Sequence, residues 1–580
     1  MSVKQEPSLP GKKVRQVFFY STEMKASGKM RKSGASVVIE ALCRNGVETV
    51  FGYPGGAVLP IYDELYKNTQ RLKHVLCAHE QNAAHAADGY ARVTGKPGVV
   101  IATSGPGATN LVTGIANAYL DSVPLVAITG NVAVQLLGRD SFQEVDITGI
   151  TREIVKHNFS VGDVRELSAI LDAAFEIASS GRPGPVLVDI PKSVQVDTCD
   201  DSEFVRRELF FNELPEPDLS EAVAAITESK RPLIYAGGGV VAAGASCELR
   251  ALAEHISAPV AFSMMGLTAL PSDYPANLGM CGMHGSRSSA KLQSECDLII
   301  ALAVRFSDRA TGNTAKYKEG KKIIHVDIDY AEIGKNTAAE IELCGDVKDI
   351  LRKLLAVLPK SDRPEWKKRV SRAKKLDMSH DEKRLTPATL LKTVAKFCDD
   401  DTVIATDVGQ HQMWTMQYFP FKSPRTLLTS GGLGTMGFGL GAAIGGCIAN
   451  QRKRTVLFTG DGSFGMSLHE LATAVSQNLP LLIVIFNNGV LGMVRQWQTM
   501  FYDKHYSHTT LNRKTDFPAL ARAFGAEGRK IASVAELENA LESLAADVPT
   551  VLDCQVDMDE FVLPMIPPGG SVQDLITGRN

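Results

Sequence analysis

Two polar clusters follow neighbouring predicted strands near the C-terminal end of the chain. An apolar run over 455–459 leads into the turn 460–464, and a second run over 481–486 ends at an Asn pair. A helical pattern over 467–477 separates the runs, which predicts a βαβ unit with both polar ends at one edge of a parallel sheet. Asp461 and Asn488 offer a carboxylate and an amide oxygen, both suited to Mg²⁺. The glycines of the turn let backbone N–H groups approach an anion, so we expect a metal ion together with a phosphate group.

A Gly-Asp-Gly turn alone is more typical of an ordinary strand–turn–helix connection in which the Asp caps the helix. The Asn pair favours the metal site, because Asn488 follows Asp461 by 27 residues and also comes directly after a strand.

Buried runs that end in Gly-rich or polar turns recur along the 580 residues. They predict an α/β protein with three doubly wound parallel-sheet domains. The expected parts are a basic flexible extension (1–32), a first domain (33–190), a polar linker (191–215), a central domain (216–357), a charged linker (358–386), a third domain (387–560) and a Pro- and Gly-rich tail (561–580).

The composition excludes several classes of protein. With 44% hydrophobic and 22% charged residues, the chain has the balance of a soluble globular protein, and its net charge of −3 argues against a nucleic-acid partner. No apolar run reaches the roughly 18 residues that a membrane span needs. The ten cysteines include no C-x-x-C pair, which favours reduced thiols and a cytoplasmic location.

Residues 1–32 carry eight Lys or Arg and two Glu, a side-chain sum of +6, without the apolar segment of a secretory signal. The first interpretation is a disordered basic tail. An organelle transit peptide is an alternative, and so is a start of translation at Met24 or Met30.

Two further features carry chemistry only in the right context. Glu80 follows a predicted strand over 75–78 and precedes a helix over 82–92, a place where a carboxylate often caps the helix or pairs with a histidine. The turn 237–242 follows the predicted strand 232–236 in the G-x-G-x-x-A form of a dinucleotide site, which is a weak signal alone.

The spacing of the Gly-Asp-Gly turn and the Asn pair resembles that of thiamine-diphosphate (ThDP) enzymes. From about residue 33 to residue 576 the chain resembles one family of that class, the large catalytic subunits of acetohydroxyacid synthases. The strings that carry this resemblance are FGYPGGA, HEQ, SGPGATN, SFQE, GRPGPVLVDIPK, GMHG, RFSDR, HVDIDYAEIGKN, CGDV, DVGQHQMW, GGLGTMGFGL, GDGSF, NN, LGMVRQWQ and MIPPGG.

The resemblance implies a ThDP site between two chains, with a pyrimidine-binding first domain and a diphosphate-binding third domain. Glu80 would hydrogen-bond N1′ of the aminopyrimidine and favour its imino tautomer, and Met436 would support the bent form of the cofactor. Asp461, Asn488 and the backbone carbonyl of Val490 would bind Mg²⁺. The other residues expected to hold ThDP are Val408, Gly409, Gln410, His411, Gly434, Gly462, Ser463 and Met493.

The resemblance also implies a substrate channel with the tail 561–580 lying over it. Arg309 would bind the carboxylate of an acceptor. Trp497 would narrow the acceptor pocket and favour 2-ketobutyrate, although a plain core aromatic is the alternative. The remaining channel residues would be Phe142, Gln143, Lys192 and Met283.

FAD is the third cofactor that the resemblance implies, bound by the central domain. Two residues depart from the family pattern, because Ser307 stands where a second Asp is usual and Ser263 replaces a Thr. Cys77 and Ala78, before Glu80, also differ from the usual residues. The residues expected to hold FAD are Arg182, Gly237, Gly238, Gly239, Ser263, Met264, Met265, His284, Arg305, Asp308, Asp327, Ile328 and Asp346.

The activity implied is decarboxylation of pyruvate and joining of the product to a second 2-keto acid, the first common step of branched-chain amino acid synthesis. A homodimer or dimer of dimers and a regulatory small subunit are the implied partners. Alternatives within the class are an FAD-free catabolic acetolactate synthase, a pyruvate oxidase or a glyoxylate carboligase, of which the last lacks the Glu. Alternatives outside it are an FAD-dependent oxidoreductase built on the 237–242 turn and a non-catalytic assembly protein.

Overall fold

Three six-stranded parallel sheets follow one another along the chain and confirm the predicted α/β architecture. The computed structural model describes residues 17–20, 31–209, 216–377 and 384–578, with the backbone alone at 17–20 and 206–209. Neighbouring side chains of a strand enter different cores: Val99 and Ile101 lie in one, and Val100 and Ala102 in another. Each such sheet is therefore covered by helices on both faces.

The first domain begins with two short strands, β1 (Val17–Tyr20) and β2 (Arg31–Ser33). Its sheet consists of β3 (Thr49–Tyr53), β4 (Lys73–Leu76), β5 (Gly98–Ala102), β6 (Leu125–Asn131), β7 (His157–Ser160) and β8 (Pro185–Pro191). Its helices are Gly34–Arg44, Leu59–Lys67, Glu80–Thr94, Pro106–Asn110, Val112–Leu120, Ile147–Thr151, Val164–Ser179 and Lys192–Val196.

The predicted linker 191–215 is wrong as far as residue 209, because this segment forms part of the first domain. Strands β9 (Thr198–Asp200) and β10 (Arg206–Leu209) pair antiparallel with β2 and β1. Gln195 Nε2 donates to the carbonyl oxygens of Ala57 and Ile190, both at 2.8 Å. The polar sequence misled the prediction because these short strands lie outside the main sheet. Residues 210–215 lie outside the described part of the chain.

The pairing of β1 with β10 also corrects the flexible extension predicted for 1–32, since residues 17–20 form a strand. Residues 1–16 and 21–30 lie outside the described residues.

The central sheet consists of β11 (Pro232–Ala236), β12 (Val260–Phe262), β13 (Asn277–Met280), β14 (Leu298–Leu302), β15 (Lys322–Asp327) and β16 (Ile341–Cys344). Its helices are Ser220–Glu228, Gly238–Ala242, Ser246–His255, Arg287–Glu295, Asp308–Thr311, Thr314–Lys318 and Val347–Val357. Helix Pro364–Lys374, in the predicted linker 358–386, packs Trp366 and Val370 into the central core, so most of that segment belongs to this domain.

The third sheet consists of β17 (Val403–Thr406), β18 (Leu427–Leu428), β19 (Thr455–Gly460), β20 (Leu481–Asn487), β21 (Glu527–Ile531) and β22 (Thr550–Gln555). Its helices are Pro387–Ala395, Gln410–Tyr418, Phe438–Ala449, Asp461–Ser467, Leu471–Ser476, Gly492–Phe501, Phe517–Phe524 and Val534–Glu542.

The first and third sheets share one topology that the sequence did not reveal. Their orders are β4-β3-β5-β6-β8-β7 and β18-β17-β19-β20-β22-β21, so both follow the chain order second, first, third, fourth, sixth, fifth. The central sheet has the order β13-β12-β11-β14-β15-β16, which is the 3-2-1-4-5-6 order of dinucleotide-binding folds.

The turn predicted over 460–464 is wrong, because a helix begins at Asp461 directly after β19. Gly460 has an extended conformation and serves as the N-cap. Glycines disfavour a helix in isolation, but Phe464 is fully buried and its ring lies 5.7 Å from that of Phe517. Burial therefore outweighs the local preference, and the predicted helix 467–477 starts six residues early.

Helices Glu80–Thr94 and Phe438–Ala449 join the first domain to the third along a seam of small residues. A Cβ on Gly445 would overlap the carbonyl oxygen of Ala86, and a Cβ on Gly441 would lie 2.7 Å from that of Asn82. The two helix backbones are therefore in direct contact, which only glycine at these positions allows.

Replacing Gly445 by Ala is expected to lower the free energy of unfolding by about 1–3 kcal/mol, because the helices must separate to admit the methyl group. Urea unfolding of the purified chain measures the effect. Gly162 is the matched control, since a Cβ there meets no atom within 4 Å. Equal midpoints for G445A and G162A would contradict the close contact of these helices.

In the part of the chain that the structure describes, no helix combines the length and apolarity needed to cross a bilayer. All ten cysteines are free thiols.

Candidate active site

Three neighbouring strands of the third sheet end at the residues predicted to bind a metal and a diphosphate. Residues 407–411 follow β17, Asp461 follows β19 and Asn488 follows β20, and these strands are adjacent in the order β17-β19-β20. The carboxyl ends of parallel strands meet at one edge, so the side chains converge where α/β sheets bind ligands.

Hydrogen bonds hold the predicted metal ligands in place. Asp461 Oδ2 accepts from Gly489 N–H at 3.1 Å, and Asn488 Oδ1 accepts from Val490 N–H at 3.2 Å. Asn488 Nδ2 donates to Gln410 Oε1 at 3.3 Å, so the amide oxygen of Asn488 faces away from Gln410. Backbone N–H groups thus orient both oxygens.

Burial raises the pKa of Asp461 to about 6, and the negative charge of Asp553 acts in the same direction. A carboxylate, an amide and a carbonyl form an all-oxygen donor set that fits Mg²⁺. Among the described residues, no group of three or more His, Cys, Asp or Glu side chains could hold a metal. The predicted magnesium ligands do not form such a group, because only one of them, Asp461, is a His, Cys, Asp or Glu side chain.

His411 lies at the same edge of the third sheet, and its side chain is suited to bind an anion. It is buried, which lowers the pKa of its imidazole to about 3, and its Nε2 has no hydrogen-bond partner among the described residues. A Cβ on Gly409 or Gly460 would lie 2.9 Å from the ring, so two glycines admit it. A neutral imidazole with an unpartnered nitrogen can donate to a diphosphate oxygen.

The remaining predicted ThDP residues of the third domain adjoin this edge. Ser463 Oγ donates to the carbonyl oxygen of Val408 at 3.1 Å. A Cβ on Gly462 would lie 4.0 Å from Met436 Cε, so the Met436 side chain reaches the first turn of the Asp461 helix. Gly434 has a φ of +72°, which favours glycine. Met493 is partly buried against the core under the sheet.

Glu80 occupies the first turn of helix Glu80–Thr94 and is half-buried. Its Oε2 accepts from Asn110 Nδ2 at 3.0 Å, and a Cβ on Gly107 would lie 3.3 Å from its Oε1. The short helix Pro106–Asn110, which follows β5, therefore orients the carboxylate. Asn110 was not among the predicted site residues, although it ends the SGPGATN string and this signal could have found it.

The structure brings together three of the predicted channel residues. Arg309 Nη1 lies 3.6 Å from Met283 Sδ, and Arg309 Cζ lies 5.5 Å from the centre of the Trp497 ring. Trp497 Nε1 is buried without a hydrogen-bond partner among the described residues. The C-terminal segment lies beside them, since Ile566 N–H donates to the carbonyl oxygen of Met283 at 2.8 Å.

The other channel residues belong to the first domain. Phe142 is 87% exposed. Gln143 has a φ of +60°, and its backbone packs against Gly105, where a Cβ would lie 2.9 Å from the Cβ of Gln143. Lys192 begins the helix that follows β8. Within the described residues, no hydrogen bond or ion pair joins this group to Met283, Arg309 or Trp497.

The residues predicted to hold FAD follow the strand ends of the central sheet. Gly237 comes after β11, Met264 and Met265 after β12, and Asp327 ends β15. The strands β11 and β14 flank the point where the strand order reverses, the usual dinucleotide crevice. Burial raises the pKa of Asp327 to about 6.

Besides Asp327, one buried group supports a ligand here, and other predicted residues have local structural roles. His284 is buried, with the pKa of its imidazole lowered to about 4, and its Nδ1 is unpartnered among the described residues. Asp346 caps helix Val347–Val357 by accepting from two backbone N–H groups. Cβ atoms on the remaining predicted glycines, Gly238 and Gly239, would meet Met265 and Ala303.

The other predicted FAD residues lie at the rim of this sheet edge. Arg305 Nη1 donates to the carbonyl oxygen of Leu120 at 2.6 Å, and Arg182 Nη1 pairs with Glu332 at 2.8 Å. Ser263 precedes the 3-10 helix Met264–Ala269. The side chain of Asp308 is 83% exposed, and Ile328 follows β15 with partial burial.

Domain models of thiamine pyrophosphate enzymes match all three parts of the chain. They are the N-terminal TPP binding domain over residues 32–150, the central domain over 219–354 and the C-terminal TPP binding domain over 407–554. The chain therefore has the domain organisation of a thiamine pyrophosphate enzyme.

Relatives narrow the class. The chain is 45% identical over 565 residues to the probable acetolactate synthase large subunit of Methanocaldococcus jannaschii, covering 94% of this chain and 95% of that protein. It is 44% identical over 548 residues to the acetolactate synthase isozyme 2 large subunit of Escherichia coli (strain K12), covering 94% and 99%. The acetolactate synthase large subunit of Corynebacterium glutamicum is 43% identical over 574 residues, covering 94% and 90%. The chain belongs to the acetolactate synthase large-subunit family.

Proposed function

We propose that the chain is an acetolactate synthase that uses ThDP, Mg²⁺ and FAD. The observation that carries this is the convergence of Asp461, Asn488 and His411 at three adjacent strand ends, with Met436 alongside. The reaction joins two pyruvate molecules with loss of CO₂, or pyruvate and 2-ketobutyrate, at the start of branched-chain amino acid synthesis.

The third domain holds the charged end of the cofactor. Asp461, the amide oxygen of Asn488 and the carbonyl of Val490 bind Mg²⁺, while His411 and the N–H groups around Ser463 meet the diphosphate. When bound, ThDP supplies the electron sink that lets a 2-keto acid lose CO₂.

The first domain supplies the proton chemistry and the channel orients the acceptor. Glu80 accepts from Asn110 through one oxygen and keeps the other for N1′ of the aminopyrimidine. Arg309 binds the acceptor carboxylate, and its cation lies over Trp497, which fixes the guanidinium plane.

The central domain is the proposed FAD site, on the strength of its strand order and of the unpartnered nitrogen of His284. Ser307 replaces the second Asp of the family pattern, so fewer charges face the ligand.

The active site is proposed to lie between two copies of the chain. Phe142, Met466 and Leu433 are 87%, 56% and 41% exposed in the single chain, although Phe142 is a channel residue and the other two flank Met436 and Asp461. Apolar exposure of this kind is typical of an interface. A dimer or a dimer of dimers would cover these residues, and the name "large subunit" that the relatives carry supports a small regulatory partner.

Mixing two inactive variants tests the shared site. In E80Q/D461N mixtures, each heterodimer has one site with both changes and one intact site. After subunit exchange, about a quarter of the parent activity is expected to return, because half of the dimers are mixed. No recovery in exchanged dimers would place Glu80 and Asp461 of one chain in the same site.

Replacing Trp497 by Leu is expected to lower the preference for 2-ketobutyrate over pyruvate about tenfold, because the widened pocket loses its contact with the extra methyl group. Competition of the two acceptors at equal concentration measures the ratio. The matched control is F501L, since the Phe501 ring lies 5.8 Å from that of Trp497, one turn along the helix. This variant should keep the ratio of the parent. An unchanged ratio in W497L would make Trp497 a core aromatic only.

Product analysis separates the proposal from the alternatives. Incubation with pyruvate should yield acetolactate and CO₂ without consumption of oxygen. A pyruvate oxidase would consume oxygen and release acetate or acetyl phosphate, and an FAD-dependent oxidoreductase would reduce its flavin with no need of ThDP.

A further inference from the structure

One three-residue turn contacts all three domains. Residues 120–122 connect the end of helix Val112–Leu120 to β6 in the first domain. Each of the three residues makes a separate polar contact with another part of the chain. Ser122 has a φ of 58°, an unusual conformation for a residue other than glycine, so the turn has a fixed and strained shape.

Asp121 anchors the third domain through both carboxylate oxygens. Oδ2 accepts from Gly431 N–H at 3.0 Å, and Oδ1 accepts from Gly432 N–H at 2.7 Å. Arg92 Nη2 neutralises the carboxylate at 2.9 Å, and both side chains are buried. Charge-assisted bonds to backbone N–H groups in a buried site are strong and directional.

The anchored segment, 430–436, is the one that carries Gly434 and Met436. Two further contacts tie it to the first domain, because Asn117 Oδ1 accepts from Ser430 Oγ at 2.6 Å and from Thr435 Oγ1 at 3.3 Å. A Cβ on Gly432 would lie 2.9 Å from Leu120 Cβ, so the segment lies tightly against the turn. Asp121 thus sets the position of Met436 without contacting the ThDP site.

The same turn meets the residues proposed to hold FAD. Arg305 Nη1 donates to the carbonyl oxygen of Leu120 at 2.6 Å, and Arg182 Nε donates to Ser122 Oγ at 2.8 Å. Met265 touches the anchored segment itself, since a Cβ on Gly431 would lie 2.6 Å from Met265 Sδ. A ligand that orders these three side chains therefore also orders the turn and the segment it holds.

We propose that Asp121 is a positioning residue that couples the FAD site to the ThDP site through the turn 120–122. This inference rests on the proposed function and gives FAD a task in a reaction without net redox change. FAD binding stabilises the turn, Asp121 transmits this to the segment 430–436, and ThDP binds the ordered segment more tightly. Coupling of this kind is reciprocal, so ThDP must also tighten FAD binding by the same factor.

The test measures ThDP dissociation constants by calorimetry in excess Mg²⁺, with the full chain either stripped of FAD or loaded with it. We expect FAD to tighten ThDP binding about tenfold in the parent. In D121N the carboxamide repels one of the two N–H groups, so ThDP should bind about tenfold more weakly than in the FAD-loaded parent and ignore FAD. The matched control is D172N. It removes the ion pair between Asp172 and Arg44, another Asp–Arg pair of the first domain.

Equal ThDP affinity with and without FAD in the parent would overturn the coupling, and a D121N protein that behaves as D172N would overturn the role of Asp121. Hydrogen exchange of the parent gives a second test that needs no variant. Addition of FAD alone should protect the amides of Gly431 and Gly432, and an unchanged exchange rate would contradict the proposal. Failure of the parent to bind ThDP at all would instead count against the proposed function.

Discussion

Replacing Asp461 by Asn is expected to weaken binding of ThDP with Mg²⁺ by at least about 100-fold. Loss of a supporting group around a metal already costs roughly 10- to 100-fold in affinity, and Asp461 is the one charged ligand of the proposed set. The amide keeps the size of the side chain and can still accept from Gly489, so the fold should survive. Calorimetric titration of Mg²⁺ and ThDP measures the loss.

The pH dependence of the parent sharpens this prediction. Burial raises the pKa of Asp461 to about 6, so the carboxylate is ionised and able to bind Mg²⁺ above that pH. Below it, protons compete, and Mg²⁺ affinity should fall about tenfold for each pH unit. This fall should be absent from D461N, which has no proton to lose.

Asp553 provides the matched control for Asp461. It is a buried acid on strand β22, which pairs with β20, and it accepts from Asn487 Nδ2 at 2.8 Å. D553N should bind ThDP and Mg²⁺ as the parent does. Mg²⁺-dependent ThDP binding by D461N within a few-fold of D553N would remove Asp461 from the metal site.

Replacing Glu80 by Gln is expected to lower the rate of acetolactate formation by about 10²- to 10⁴-fold, the usual contribution of a positioned acid or base. Gln can still accept from Asn110 and fills the same space, so ThDP affinity should change little. The two effects together distinguish a proton-transfer role from a structural one.

The direct readout for Glu80 is exchange of the C2 proton of bound ThDP with deuterium, followed by acid quench and NMR. E80Q should slow this exchange as much as it slows turnover. The variant E64Q, on another helix of the first domain, loses an ion pair with Lys67 and serves as the control. If E80Q exchanged the proton as fast as E64Q, Glu80 would have no part in activating the cofactor.

The chemistry of the site could be predicted because it follows strand ends. The runs before Asp461 and Asn488 are buried on both faces and consist mainly of apolar residues, so the sequence marks where each strand stops. In a parallel sheet these ends share an edge, which places the two residues together without any knowledge of the packing.

The two edge strands of the third sheet could not be predicted, for the opposite reason. The strand β21 (Glu527–Ile531) has one fully buried residue, and β18 has two residues in all, so neither shows an apolar run or a clear alternation. The helix start at Asp461 was missed because glycine-rich sequence indicates a turn unless burial of Phe464 is known.

Contacts between domains are the other part that sequence pattern does not contain. Asp121 and Gly431 are separated by 310 positions in the chain, and their hydrogen bond depends on how two folded domains dock. Asn110, which orients Glu80, is a contact within one domain. The short helix after β5 lies beside the helix after β4 because of the sheet order, which the sequence pattern does not contain.

The most direct test of the whole account is acetolactate formation from pyruvate by the purified chain, with ThDP, Mg²⁺ and FAD each left out in turn. The account predicts that activity is lost without any one of the three and returns when it is restored. Activity that persists without FAD would assign the chain to an FAD-free synthase and direct attention to Ser307. Acetolactate formation that is unaffected by removal of ThDP or Mg²⁺ would contradict the central claim.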